Sequence, residues 1–426
     1  MPTRSSLVFL CTLALLVIGV VMVNSAGMTV TPVPDGIAGL EAVSPAPMLD
    51  TMSIVTSRPA ALLVVSMIAF AICALLPVRR LAGLVTPAPH APMGYLYAGL
   101  VAGSLAMLGL LALVYVPSIQ REVNFSARWI ALPVVGSVQP SEFAKWGMIP
   151  LLAWYAAALG GRLKSFPFGL FPAVAAIAVV SGFIVLEDLG TGVLVATALC
   201  VLLIAAGARI WQFAIFAVPA AVGLFIAITT SPYRVQRILS FLDPFADPRG
   251  SGYHMIQSMS TVAGGGVAGR GLGHGIQKFG YLPEDTTDFL FAVICEETGL
   301  AGATAVIGLY LLLAWALVGV VRHQQVPVLR YFVVGVLATI MTQAMINLVV
   351  VTGLGPTKGI ALPLLSSGGT GWVLTAASLG LVCAIDRATR SAGAETVGLS
   401  PAGSTIECKP ARATRPASSH AATIAA

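Results

Sequence analysis

Residues 288–320 read DFLFAVICEETGLAGATAVIGLYLLLAWALVGV, an apolar run well beyond the ~20 residues that carry a helix across a bilayer. Three carboxylates interrupt it, Asp288, Glu296 and Glu297, all near its start. In hydrocarbon every backbone N–H and C=O must be satisfied within the segment, so such a run is a helix. Comparable runs fall near 6–25, 60–78, 94–116, 142–160, 167–187, 189–208, 210–230, 330–352 and 362–385. The chain therefore reads as an all-α polytopic membrane protein of about ten transmembrane helices, which puts both termini on one side.

Composition agrees. Of 426 residues, 57% are hydrophobic and 9% charged, far from the quarter or so of charged residues usual in a water-soluble domain. The net charge of +6 comes from 23 Lys and Arg spread singly between apolar runs, which argues against a nucleic-acid partner. Their placement instead sets topology. With the N-terminus inside, the cytoplasmic segments carry Arg4, Arg79, Arg80, Arg162, Lys164, Arg209, Arg322, Arg330, Arg387 and Arg390, and every inner connection holds at least one. The six cysteines lack metal-ligand spacing and read as apolar fillers. The run from Arg4 to about Val23 is long enough to span, and is read as the first helix rather than as a cleavable signal peptide.

Residues 1–390 thus form one ten-helix membrane domain, and 391–426 read as a disordered cytoplasmic tail rich in Ala, Ser, Thr and Pro. Residues 27–57 form a long first outer loop. A larger outer loop, 231–287 between spans 7 and 8, gathers charge, glycine and aromatics, and long loops of this kind usually carry function.

Four constellations stand out. In the large loop, Arg234 and Arg237 precede the glycines of 264–273 and the stretch from Lys278 through Glu284 to Asp288. Glycine backbone can cradle an anion, although spacing alone favours the reading that it just folds a loop; the strand-to-helix setting of a nucleotide fingerprint is missing. Asp288 sits where water gives way to hydrocarbon, so it is either a base made stronger by desolvation or an acid stabilising a helix N-terminus. Glu296, about 12 Å further along a continuous helix, is too distant for a two-carboxylate pair, and structural pairing with another helix suits it and Glu297. The second cluster joins Arg128 and Trp129 to Ser141, Glu142 and Lys145, with Glu142 and Lys145 at i, i+3 spacing. The third is Glu187-Asp188-Leu189-Gly190-Thr191. The fourth, Pro356-Thr357-Lys358-Gly359 followed by Ser366 and Ser367, reads as a broken helix entry lining a cavity. Several cations near one base is what an anionic phosphorylated substrate requires.

Taken in order, these segments resemble the SEDS family of shape, elongation, division and sporulation proteins, FtsW, RodA and SpoVE. The likeness runs from the first span to Gly369 and is carried by Arg128-Trp129-Ile130 with Gln139-Pro140-Ser141-Glu142, Asp188-Leu189-Gly190-Thr191, Tyr281-Leu282-Pro283-Glu284 with Thr287-Asp288-Phe289, and Pro356-Thr357-Lys358-Gly359. The Lys278–Glu284 stretch and the Pro-Thr-Lys-Gly sequence are closer to the division branch, FtsW, than to RodA. Thr286, Leu186-Glu187, Cys295 and Ser367 depart from the usual family pattern.

The resemblance implies an inverting peptidoglycan glycosyltransferase of the inner membrane that polymerises lipid II at the outer face beside a class B penicillin-binding transpeptidase. It makes Asp288 the general base and implies that Arg128, Lys145, Arg234, Arg237, Lys278, Glu284, Lys358 and Ser366 bind substrate, with Glu142, Asp188 and Glu296 in support. Mg²⁺ or Mn²⁺ would assist at the pyrophosphate, with ligands unassigned, and no organic cofactor is expected. A flippase, or a non-catalytic scaffold for a transpeptidase, are the alternatives; a flippase would concentrate polar groups at the bilayer midplane rather than in outer loops and helix ends.

Overall fold

The computed structural model describes residues 3–28, 51–85, 91–118, 120–123, 126–132, 136–278, 282, 284–367 and 369–398. Its helices are α1 (Arg4–Ala26), α2 (Thr51–Val55), α3 (Arg58–Leu75), α4 (Val78–Val85), α5 (Met93–Ala112), α6 (Pro140–Leu159), α7 (Phe171–Glu187), α8 (Leu189–Ala205), α9 (Phe213–Thr229), α10 (Pro232–Leu242), α11 (Tyr253–Gly264), α12 (Leu290–His323), α13 (Pro327–Val351) and α14 (Thr370–Gly398). Among the described residues eight helices are long and apolar enough to cross a membrane. The apolar α8, at 17 residues, and α6, which opens with Glu142 and Lys145, correspond to the other two runs read from the sequence.

Local chemistry fixes several starts. The Thr3 and Ser57 side chains accept from the N–H of Ser6 and Ala60 and cap α1 and α3. Proline opens α6, α10 and α13, where its missing N–H costs nothing. Helix α1 packs on α12, α7 on α8, and α13 on both α6 and α8. The core runs through α6, α13 and the first half of α12, whereas α9 buries none of its residues and so presents apolar surface all round. At one end of the bundle Arg4 meets Asp386 at 4.0 Å and its guanidinium donates to the His323 ring, which joins the start of α1 to the end of α12 and the second half of α14.

Three features were not legible as spans. A small antiparallel sheet, β1 (Gln120–Val123), β2 (Ser126–Leu132) and β3 (Gly136–Val138), joins α5 to α6, with Gln120 opposite Ile130 and Ile130 opposite Val138. Within the stretch read as the first outer loop, 51–55 are helical; 29–50 lie outside the described residues. Residues 391–398, read as the start of a disordered tail, continue α14, and 399–426 lie outside the described residues.

The long span α12 is broken rather than continuous. Gly299 takes φ 65° and ψ −160°, a left-handed conformation that glycine alone adopts without strain. The break releases carbonyls and N–H groups, and the loop after α11 satisfies them: Arg270 and Gly271 donate to the carbonyls of Glu296 and Glu297 at 2.9 Å each, and Leu300 donates to Gly266 at 3.1 Å. The backbones come so close that a Cβ on Gly265 would stand 1.8 Å from the Cys295 carbonyl oxygen. Gly265→Ala is therefore expected to destabilise the chain by roughly 1–3 kcal/mol, read as a lower thermal unfolding midpoint in detergent. Gly308→Ala, whose Cβ would meet nothing within 4 Å, serves as the neutral control.

Candidate functional site

At the bundle end opposite the Arg4–Asp386 pair, a cavity of about 1260 Å³ opens between β2, the first turn of α6, the α7–α8 junction, α10, the turn before α12 and the irregular segment 356–367. All four sequence constellations reach it.

Asp188 separates α7 from α8 because its carboxylate caps α8: Oδ1 accepts from Thr191 N at 3.1 Å and Oδ2 from Thr191 Oγ1 at 2.9 Å. Arg128 on β2 leans against it, with Nη1 3.6 Å from Asp188 Oδ2 and Nε donating to the Glu187 carbonyl at 3.1 Å. Arg234 on α10 donates to the carbonyls of Ala227 and Val185 at 2.9 Å each. One turn on, Arg237 lies 4.5 Å above the Tyr233 ring, bonds to that hydroxyl, and donates to the Thr357 carbonyl at 2.9 Å. The two arginines thus spend donors on backbone oxygens and keep their charge in the cavity. Lys145 is 3% exposed and pairs with Glu142 at 2.7 Å, as the i, i+3 spacing suggested, and with Gln343 Oε1 at 2.9 Å.

Asp288 lies in the turn before α12, where its N–H donates to the Glu284 carbonyl at 3.1 Å. The start of α12 has no side-chain cap, so Asp288 makes no capping hydrogen bond to that helix. Its half-buried carboxyl instead faces Gly359: a Cβ there would stand 2.8 Å from Asp288 Oδ2. Asn347 on α13 ties the two strands of this wall together, its Nδ2 donating to the carbonyls of Asp288 and Ile360 at 2.7 Å each. Glu284 adopts φ 55° and accepts from Thr287 Oγ1 at 2.9 Å. Ser366 lines the cavity, but its hydroxyl oxygen accepts from Leu362 N at 2.9 Å and its carbonyl from Trp372 Nε1 at 2.6 Å, which makes it a turn-former first.

Burial pushes the Asp288 carboxyl up to about 7; Glu284 and Asp188 add to the rise, while Arg237 and Arg128 partly offset it. Burial also lowers Lys358, with Asp188 opposing and Arg234 and Arg237 reinforcing that shift. A base works only when ionised, and an acid with a raised pKa ionises later as pH rises. A reaction using Asp288 as its base should therefore have a kcat/KM that climbs about tenfold per pH unit below about 7 and levels off above it, in an assay run from pH 5 to 9. An unchanged limb in the residual activity of Asp288→Asn, or a flat profile in the wild type, counts against that assignment.

Two expected site residues lie elsewhere. Lys278, expected to bind substrate, is fully buried with its Nζ 2.7 Å from Glu297 Oε1 and 3.0 Å from Ser25 Oγ, and does not line the cavity. Glu296, expected in a supporting role, also lies away from the cavity, accepting from Ile276 N at 3.0 Å with Arg270 Nε at 3.4 Å. The pairing with another helix expected of the two glutamates is met for Glu297 by Ser25 on α1, whereas Glu296 pairs with Ile276, Gln277 and Arg270 of the glycine-rich loop. That loop does cradle anions, but they are the protein's own carboxylates. Gln343 and Asn347 were missed; two amides four residues apart on an apolar span were the available signal. Among the described residues no three His, Cys, Asp or Glu gather to hold a metal, and no step below passes through one.

Fold and site together define a polytopic membrane protein with a cationic cavity around one desolvated carboxyl. The family model for the cell cycle proteins FtsW, RodA and SpoVE matches residues 5–391. The chain belongs to that family. Stage V sporulation protein E of Bacillus subtilis is 38% identical over 284 residues, covering 66% of this chain and 77% of that protein. The probable peptidoglycan glycosyltransferase FtsW of Halomonas elongata is 40% identical over 295 residues, 68% of this chain and 74% of that one. Among solved structures, one from work on structural coordination of polymerization and crosslinking by a peptidoglycan synthase complex superposes with a TM-score of 0.66 at 28% identity, covering 90% of this chain and 97% of its own. Thermus thermophilus RodA gives 0.55 at 26% identity, covering 89% and 95%.

Proposed function

We propose that this chain is a peptidoglycan glycosyltransferase that polymerises lipid II, the reading supported by relatives named for that activity and by the chemistry of its cavity. The observation that carries it is the placement of Asp288, raised towards neutrality, in one cavity with Arg128, Arg234, Arg237 and Lys358. The Asp288 carboxylate takes the proton of the acceptor sugar's 4-hydroxyl. That oxygen bonds to the anomeric carbon of the donor as the bond to pyrophosphate breaks, which inverts the centre and releases undecaprenyl pyrophosphate carrying the electron pair. Base catalysis contributes about 10²–10⁴-fold. The arginines and Lys358 stabilise charge growing on the leaving pyrophosphate, an electrostatic contribution that is often the largest single one.

The Lys and Arg distribution supports a cavity on the outer face with both termini cytoplasmic. Likeness to a peptidoglycan synthase complex supports a transpeptidase partner, which we assign to the class B penicillin-binding enzymes, and the FtsW-named relatives support a role in division. Purified protein supplied with lipid II and such a partner should form glycan strands resolved on a gel. Translocation of lipid II across vesicles without polymer would contradict the assignment.

A further inference from the structure

Three buried charges close to the site take no part in the chemistry above. Glu297 is buried, and its oxygens accept from Lys278 Nζ and Ser25 Oγ at 2.7 Å, and from the backbone N–H groups of Gly273 and Gly275 at 3.0 and 3.4 Å. Glu296, equally buried, accepts from the N–H groups of Ile276 and Gln277. Such a cluster is a poor way to gain stability, because desolvating the ions offsets most of their attraction and apolar side chains would fill the space as well. What it provides is a fixed geometry.

That geometry bears on Asp288. The Lys278–Glu297 pair joins residues 19 apart and so closes the 278–297 loop, at whose apex stand Glu284 and Asp288. The described residues on either side of the apex are held in place. On one, Gln277 is held through its N–H by Glu296 and accepts from the N–H of the buried Leu282 at 2.8 Å; Glu284 O then accepts from Asp288 N and Phe289 N. On the other, residues 290–297 form one helical stretch in which every residue is buried. Ser25, near the end of α1, ties the closure to a core helix.

We propose that Lys278, Glu297, Ser25 and Glu296 form a clasp that sets the position of the Asp288 carboxyl in the cavity, as positioning residues for the glycosyl transfer. The inference rests on the glycosyltransferase reading, so the wild type is run beside each variant: no polymer from the wild type sinks that reading, while polymer at equal rates from both sinks the clasp alone. The test is the double variant K278M/E297Q, which removes the charges of the pair together and leaves Glu296 with its Arg270 partner. Its kcat should fall roughly 10–100-fold, as small displacements of a reacting group do, with KM for lipid II within about threefold of the wild type. Amide exchange should quicken across 282–289 and stay unchanged in α6, α8 and α13, and Lys278→Arg should keep most of the wild-type kcat. Wild-type kcat and exchange in the double variant would overturn the clasp, as would a loss of kcat with exchange quickened equally throughout the bundle. If the double variant does not fold, Ser25→Ala decides: a lower kcat with local quickening supports the clasp, and no change in either overturns it.

Discussion

Asp288→Asn is expected to lower the rate of glycan polymerisation by roughly 10²–10⁴-fold, the range that a positioned base contributes. The amide keeps the size of the carboxyl and cannot take the proton of the attacking hydroxyl. Folding should survive, for a physical reason: burial already disfavours the ionised form of Asp288, so a neutral isostere removes a charge that the folded site tolerates poorly. The backbone contacts that hold the turn, from Asp288 N to Glu284 O and from Asn347 to Asp288 O, do not involve the side chain. Steady-state polymerisation paired with a melting curve checks both halves. An unchanged rate removes Asp288 from the chemistry, and loss of the folded protein makes the variant uninformative about rate, in which case Asp288→Glu separates charge from position.

Lys358→Met should cost roughly 10²–10³-fold in kcat, the size seen when one preorganised electrostatic contact to a transition state is lost. Among the described residues Arg128, Arg234 and Arg237 each hold a structural partner, whereas no ion pair to Lys358 is present, and its ammonium is half-buried. Burial and the neighbouring arginines lower its pKa, so its charge is held at a disadvantage until an anion arrives. A developing pyrophosphate charge relieves that disadvantage most at the transition state, which is why the loss should fall on kcat rather than KM. A rise in KM at constant kcat would show that Lys358 binds ground state and transition state alike. By contrast Arg128→Ala is expected to disturb the Asp188 cap of α8 as well as the cavity, so its effect would mix folding with catalysis.

The spans were legible because hydrocarbon permits few backbone solutions, and ten apolar runs leave little choice. Asp288, Arg128, Arg234, Arg237 and Lys358 were legible as a set because charge beside lipid is costly and seldom idle. What the sequence hid depends on tertiary geometry. Lys278 and Asp288 lie in one polar stretch, yet one faces a buried glutamate and the other the cavity, a difference that hydropathy does not carry. The glycines of 264–273 could have been an anion cradle or a simple loop, and only folding reveals that Glu296 and Glu297 supply the anions. The short sheet before α6 has no periodic signature long enough to read, being three strands of three to seven residues. Gln343 and Asn347 were masked by the apolar helix that carries them.

If the cavity around Asp288 is where lipid-linked pyrophosphate is cleaved from its sugar, a structure of the wild-type protein with undecaprenyl pyrophosphate bound will show it there. Phosphate oxygens are expected within ~2.7–2.9 Å of Arg237 or Lys358 nitrogens, in the same cavity as the Asp288 carboxyl. Pyrophosphate bound at the opposite end of the bundle, beside Arg4 and His323, with this cavity empty, would contradict that placement.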